Sequence, residues 1–216
     1  MAIMRVDPYV WVTWLTHLLV GDHSCEWSAW FRTRYKNYEK VHSTFDFALW
    51  SMQHKSLLDV MVGRLEAQEY SISLEGQNSF TLRGASGIVL GGKPDVIATR
   101  EQREIILDAK TGQPSQADIA QVMIYMWAVP RAISKYSGMV LDGRVVYSDH
   151  EIDVPSCTID NTFQNNLVEL IRKVGGPVPL RKVPTAAECR FCPIAISECP
   201  ERIEEHYTTK TQASEF

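Results

Sequence analysis

Apolar and polar positions along the chain fall into three regimes. Residues 7–40 are dense in apolar side chains, with Trp27, Trp30, Phe31, Tyr35 and Tyr38 grouped around Cys25, and read as a helical segment. Within it Arg32, Lys36 and Lys40 recur at i, i+4 and i+8, a spacing that lines three cations along one side of a helix. A longer helix is expected over 45–68. Ser43, Thr44 or Asp46 can cap it, Trp50, Leu57, Leu58 and Met61 form its apolar face, and His54 falls on that same face.

Between 70 and 110 the period shortens. Runs at 70–74, 80–83, 88–90, 96–99 and 104–109 are rich in β-branched and aromatic residues and are separated by Gly, Asn and Pro, the signature of an antiparallel meander. Helical periodicity returns at 115–128 and 158–174, on either side of two strand-like runs at 138–147 and 151–154. The expected architecture is α/β (α+β), a central sheet flanked by helices. A Gly- and Pro-rich stretch at 175–184 leads into a cysteine cluster, so the C-terminal part reads as a loop organised by a metal centre. Neither repeats nor low-complexity tracts interrupt the pattern, and one domain over 1–205 is expected, with a fraying tail at 206–216.

Composition narrows the function classes only modestly. The chain has 216 residues, 45% hydrophobic and 22% charged, as ordinary globular domains do. The longest apolar stretch, 9–20, holds Thr13, Thr16 and His17 and is shorter than the about 20 residues a membrane helix needs. Asp7 and Pro8 stand where a signal peptide would be basic, so a cytoplasmic protein is expected. With 22 Lys and Arg against 26 Asp and Glu the formal charge is -4, so any nucleic-acid binding must be local rather than a bulk electrostatic effect.

Candidate chemistry concentrates at 92–125. Strand alternation over Ile105-Ile106-Leu107-Asp108-Ala109-Lys110 puts Asp108 and Lys110 on one face and Ile105, Leu107 and Ala109 on the other. Asp95, from the neighbouring strand, can meet Asp108 around a hard cation such as Mg²⁺ or Mn²⁺. An Asp-x-Lys pair alone is more often an exposed ion pair. The following helix alters that balance, because it is apolar almost all round except for a stripe made by Asp118, Gln121 and Tyr125.

Cysteine supplies a second constellation. Cys189, Cys192 and Cys199 lie within one short loop, and Cys192 and Cys199 each precede a proline, a setting found in iron-sulfur loops. No fourth ligand is local. Cys25 or Cys157 can complete a set, and a disulfide framework is not expected from an odd count of five.

Taken in order, His54, Asp95, Asp108-Ala109-Lys110 and Gln121-x3-Tyr125 resemble the PD-(D/E)XK nucleases, in particular their RecB-like exonuclease branch. The resemblance implies a restriction-endonuclease-like fold with a central mixed sheet flanked by helices, and a metal site of His54, Asp95, Asp108 and the Ala109 backbone carbonyl, with His42 as the alternative imidazole. It also implies that Lys110 stabilises the attacking hydroxide or the charge on phosphorus, and that Gln121 and Tyr125 position the strand. Iron-sulfur members of that branch, the CRISPR-associated Cas family 4 among them, carry one cysteine near the N-terminus and three near the C-terminus. On that likeness Cys25 joins Cys189, Cys192 and Cys199 around a 4Fe-4S cluster that ties the N-terminal helical region to the C-terminal loop, with zinc as the alternative.

The activity implied is a Mg²⁺- or Mn²⁺-dependent DNA exonuclease acting on single strands, with Arg32, Lys36 and Lys40 as candidate DNA contacts. Implied partners are DNA, CRISPR adaptation or recombination proteins, and further copies of the chain, with a phage or stand-alone role equally open. The rivals are a non-catalytic DNA-binding scaffold that keeps the fold, and an electron-transfer iron-sulfur protein.

Overall fold

A computed structural model of the chain describes residues 2–43, 45–101 and 103–204. The expected tail at 206–216 and Thr44, one of three candidate helix caps, lie outside the described residues. In chain order, β1 (Ile3–Met4) and β2 (Tyr9–Trp11) precede α1 (Thr16–Val20), α2 (Glu26–Arg34) and β3 (Tyr35–Lys36). The long α3 (Phe47–Ala67) is followed by β4 (Ser71–Leu74), the single-turn α4 (Glu75–Asn78), β5 (Phe80–Arg83), β6 (Val89–Gly92), β7 (Val96–Arg100) and β8 (Arg103–Ala109). Then come α5 (Gln116–Ala132), β9 (Leu141–Val146), β10 (Glu151–Val154), α6 (Asn161–Gly175) and α7 (Ala186–Phe191).

The main sheet has the order β10-β9-β8-β7-β4, with β8 and β9 parallel and the other pairs antiparallel. Parallel neighbours cannot be joined by a tight turn, and α5 supplies the crossover between them. Strand alternation divides the apolar residues between two faces. Val96, Ala98, Leu107 and Ala109 pack with Met61 and Leu65 of α3, whereas Ile97, Ile106 and Val145 join the larger core with Val122, Tyr125 and Met126 of α5. The mixed α/β architecture with helices on both faces is the expected one.

Two sequence expectations need correction. The five runs between 70 and 110 all form strands, but they do not make one meander. Strands β5 and β6 leave the main sheet and pair with β2 in a three-stranded sheet of order β2-β6-β5. The reading of 7–40 as helical also fails at both ends. Tyr9-Val10-Trp11 has a period of two, with Val10 fully buried between half-buried neighbours, and it runs parallel to β6.

At the other end α2 stops at Arg34, because Tyr35 is extended and pairs with Met4, and Asn37 takes the left-handed φ of 55° that ends any continuation. Arg32, Lys36 and Lys40 therefore do not share a helix face. Arg32 lies on α2 with its guanidinium 5.1 Å from the centre of the Trp14 ring, Lys36 is on β3, and Lys40 is bridged to Ile194.

The seating of α5 on the sheet depends on one glycine. An added Cβ at Gly143 of β9 would lie 2.3 Å from Val122 Cγ1 and 2.6 Å from Met126 Sδ, so the helix could not keep its depth. Gly63, on the exposed side of α3, has nothing within 4 Å of the same position. Gly143→Ala is predicted to lose about 1–3 kcal/mol of unfolding free energy through overpacking. Gly63→Ala is predicted to gain about 0.5–1 kcal/mol by removing glycine's entropy cost from a helix interior. Urea denaturation of the two variants checks both signs.

Candidate active site

The β7–β8 pair and the start of α5 bring the expected residues to one place. Asp95, just before β7, is buried, and its Oδ2 accepts the Ala109 backbone N–H at 2.8 Å. Asp108, on β8, is only 2% exposed. Its Oδ1 accepts from Gln121 Nε2 at 3.2 Å, and Lys110 Nζ stands 2.7 Å from Oδ2 as an ion pair. That Oδ2 has no aligned hydrogen-bond donor, so a buried carboxylate oxygen keeps lone-pair capacity for a cation. His54 reaches in from α3, its Nε2 3.3 Å from Asp95 Oδ2. His42, the alternative imidazole, lies on an exposed segment before α3.

Helix α5 contributes the second half. It starts with a reciprocal cap, Ser115 Oγ accepting from Asp118 N–H at 3.3 Å and Asp118 Oδ2 accepting from Ser115 N–H at 3.1 Å. One turn on, Gln121 uses its carbonyl to accept from Lys110 Nζ at 2.9 Å and its amide to donate to both Asp108 and Tyr125 Oη. Tyr125 is almost fully buried and its hydroxyl donates to the Lys93 carbonyl at 3.3 Å. Its hydroxyl is thus engaged inside the protein. It fixes the 93–95 turn that carries Asp95.

The charges follow from burial and proximity. Burial pushes the Asp108 carboxyl up to about 6; Lys110 opposes that rise, and Asp95 reinforces it. Burial disfavours the Lys110 ammonium, but the carboxylates of Asp108, Asp118 and Asp95 together outweigh it and raise its pKa above the usual lysine value. Lys110 is a cation at neutral pH. The Asp95 carboxylate raises His54 against the cost of its burial.

A model of the PD-(D/E)XK nuclease superfamily matches residues 21–199. The chain belongs to this superfamily. Membership implies a metal-dependent nuclease and a nucleic-acid substrate, and the mixed α/β fold is the restriction-endonuclease-like one. Among solved structures the chain is similar to the crystal structure of SSO0001, with 18% identity and a TM-score of 0.49 over 94% of this chain and 90% of that one. No curated protein matches. No helix among the described residues is long and apolar enough to cross a membrane.

Several residues of this nuclease site escaped the sequence reading. Tyr147, at the end of β9, donates to Asp118 Oδ2 at 2.9 Å, and burial with that carboxylate pushes its pKa up to about 12. Asn78, fully buried, donates to the carbonyls of Ser73 at 2.8 Å and Pro94 at 3.3 Å, bracing the turn before Asp95. Glu75 pairs with Lys93 at 2.7 Å. The partners come from other elements, so no local spacing announces them; the one available signal was a polar Asn between two strand runs.

The cysteines occupy a separate corner. Cys25, Cys189, Cys192 and Cys199 all line one cavity of about 490 Å³, while Cys157 is exposed elsewhere. Arg32, Lys182 and Arg202 line the same cavity. Among the described residues no three His, Cys, Asp or Glu side chains form a ready-made metal group, here or at the carboxylates. The two ends of the chain are joined around the cavity by Glu188, whose carboxylate accepts the backbone N–H groups of Ser24 at 2.9 Å and Cys25 at 3.0 Å. Trp30 Nε1 adds a bond to the Gly176 carbonyl at 2.9 Å.

Two backbone donors on one ionised acceptor make Glu188 costly to remove. Glu188→Ala is predicted to lose about 1–3 kcal/mol of stability. Urea denaturation measures the loss, and limited proteolysis is expected to open first around residues 176–204.

Proposed function

We propose that the chain is a Mg²⁺- or Mn²⁺-dependent exonuclease of single-stranded DNA that carries a 4Fe-4S cluster in its cysteine cavity. The observation that carries the nuclease reading is the meeting of Asp95, Asp108 and Lys110 at one buried point beside His54. Two carboxylates suit hard cations, and the imidazole suits Mn²⁺ as well. Asp108 Oδ2, ion-paired with Lys110 but without an aligned hydrogen-bond donor, is the oxygen that fits such a cation. Asp95, Asp108, His54 and the Ala109 carbonyl are the proposed ligands. When bound, the cation would polarise the scissile phosphate and acidify a water.

The protein's own groups then have separable tasks. Hydrolysis adds water across one P–O bond, so negative charge grows on the phosphoryl oxygens and on the leaving oxygen. Lys110, held as a cation by three carboxylates, stabilises that charge rather than acting as a base. Gln121 fixes the Lys110 ammonium and the Asp108 carboxylate relative to each other through one amide. Tyr125 holds the turn carrying Asp95. Both are positioning residues. Exonuclease action and single-strand preference rest on the resemblance to the RecB-like branch, as do CRISPR or recombination partners and self-association.

The cluster reading is supported by the cavity. Four cysteines surround a space of about 490 Å³, and Arg32, Lys182 and Arg202 offer positive charge to a centre whose thiolate ligands are anionic. The proposed role is structural, joining α2 to the C-terminal loop.

Degradation of end-labelled single-stranded DNA with Mn²⁺, Mg²⁺ or EDTA tests the activity. Asp108→Asn is predicted to lose cleavage at least about 10²-fold, and Gln121→Ala about tenfold to 10²-fold in kcat with little change in KM. Metal-independent cleavage, or equal rates in Asp108→Asn, refutes the mechanism. Absence of cleavage by folded wild type on single strands, duplexes and RNA favours the non-catalytic scaffold. For the cluster, iron and sulfide analysis of anaerobically purified protein is expected to find four of each per chain, lost together in Cys192→Ala; stoichiometric zinc overturns it.

A further inference from the structure

The apolar stripe of α3 outruns the sheet that buries it. Counting 3.6 residues per turn, Leu65, Met61, Leu58, Leu57, His54, Trp50 and Phe47 share one side of the helix. Met61 and Leu65 are buried against β7 and β8, and Leu57 and Leu58 pack beside them. His54 reaches Asp95. Beyond it the same stripe continues into the open: Trp50 is half-buried and Phe47 is 66% exposed. The overhang therefore lies on the sheet side of the helix, at the mouth of the carboxylate site.

The rings form a connected column. Trp50 stacks on His54 with centroids 5.1 Å apart and planes 28° apart, and Phe47 rests on Trp50 at 5.5 Å. Phe45, 61% exposed, reaches Trp50 at 6.3 Å. Phe45 and Trp50 flank the Asp46 cap as a hydrophobic staple, which explains Phe45 as a structural residue. Phe47 has no such task. An exposed aromatic face connected ring to ring with a nuclease's metal-site histidine is matched by the flat face of an unpaired nucleobase.

We propose that Phe47, seated on Trp50, is a stacking platform for unpaired bases a few nucleotides from the scissile phosphate, and that it selects single-stranded ends. Seven residues of helix separate Phe47 from His54, about 10 Å at about 1.5 Å per residue. At about 3.4 Å per stacked nucleotide that spans two or three bases. A duplex hides its base faces within the stack and offers a platform only at its end. The proposal rests on the nuclease reading, since it names that site's substrate.

The test separates the two. Binding of a single-stranded oligonucleotide is measured with the Asp108→Asn protein, by anisotropy of the labelled strand and by tryptophan fluorescence, so no cleavage is needed. Oligonucleotides with one to three terminal abasic positions are expected to bind about tenfold more weakly than the intact strand. Phe47→Ala is expected to weaken the intact strand by a similar factor and to be indifferent to the abasic positions; Phe47→Trp restores both, and Phe47→Leu does not. Cleavage by otherwise wild-type protein should show the same pattern in KM.

Equal affinity for intact and abasic strands, or full binding by Phe47→Leu, overturns the platform even if the protein cleaves DNA. Normal stacking behaviour without any cleavage by wild type overturns the nuclease reading instead. A change of mass by light scattering in Phe47→Ala, with unchanged response to abasic positions, assigns the overhang to a second copy of the chain and overturns the proposal.

Discussion

The rest of the site depends on keeping a carboxylate where it does not want to be charged. Taking an ion out of water costs several kcal/mol even after relaxation, and Asp108 is nearly devoid of solvent. The neighbouring elements answer that cost from two sides. Lys110, two residues along the same strand, brings the opposite charge to 2.7 Å, and Gln121 brings an aligned amide from α5. Neither partner is independent, because the Gln121 carbonyl accepts from the Lys110 ammonium. The geometry therefore hangs on how deeply α5 sits against β8 and β9, and that depth is set at Gly143. A backbone position with no side chain, on a strand that contributes none of the candidate ligands, governs the site's alignment.

What was legible in the sequence was local in its physics. Asp108 and Lys110 share a face because strands alternate, and Gln121 and Tyr125 share one because helices repeat near four, so the network between them could be anticipated from spacing. Helix α3 begins where Asp46 offers its side chain to Leu49 N–H, a cap visible as a residue type. Non-local pairings were not visible. Strand β2 is three residues long and gains its partner from β6 about eighty positions later, and its apolar density mimicked a helix. The split of the predicted meander into two sheets has the same origin, since the runs themselves do not say which edge they join. Tyr147, Asn78 and Glu188 act through partners on other elements and left no periodic trace.

The cysteine corner lies between these cases. The spacing of Cys189, Cys192 and Cys199 is a local signal, whereas the arrival of Cys25 beside them is topological and required α2 to fold back onto the C-terminal segment. Arg32 is the clearest reversal. As one cation of a supposed surface stripe it read as a phosphate contact, yet the end of α2 at Arg34 and the Trp14 ring turn it toward the cavity. Burial lowers its pKa, against the opposing influence of Cys192, Tyr38 and Cys25. The proposed metal centre would turn those thiols into thiolates and so give the guanidinium a negative partner.

That reversal also bears on how a net acidic nuclease holds a polyanion. With Arg32 turned inward and Lys110 engaged by carboxylates, only Lys36 and Lys40 of the cations first considered stand exposed, on separate pieces of chain. A phosphate track built from so few charges would give weak, salt-sensitive binding. Under the proposed function, a cation at Asp95 and Asp108 and surfaces indifferent to charge would add to that affinity. The α3 helix presents both, His54 at the carboxylates and Phe47 two turns before it, and one rigid rod sets the distance between them. A strand bound as proposed at both points would be gripped by its bases and cut at its backbone. On that reading a preference for unpaired ends would follow from which chemical face the protein offers, with no loop needed to exclude the duplex.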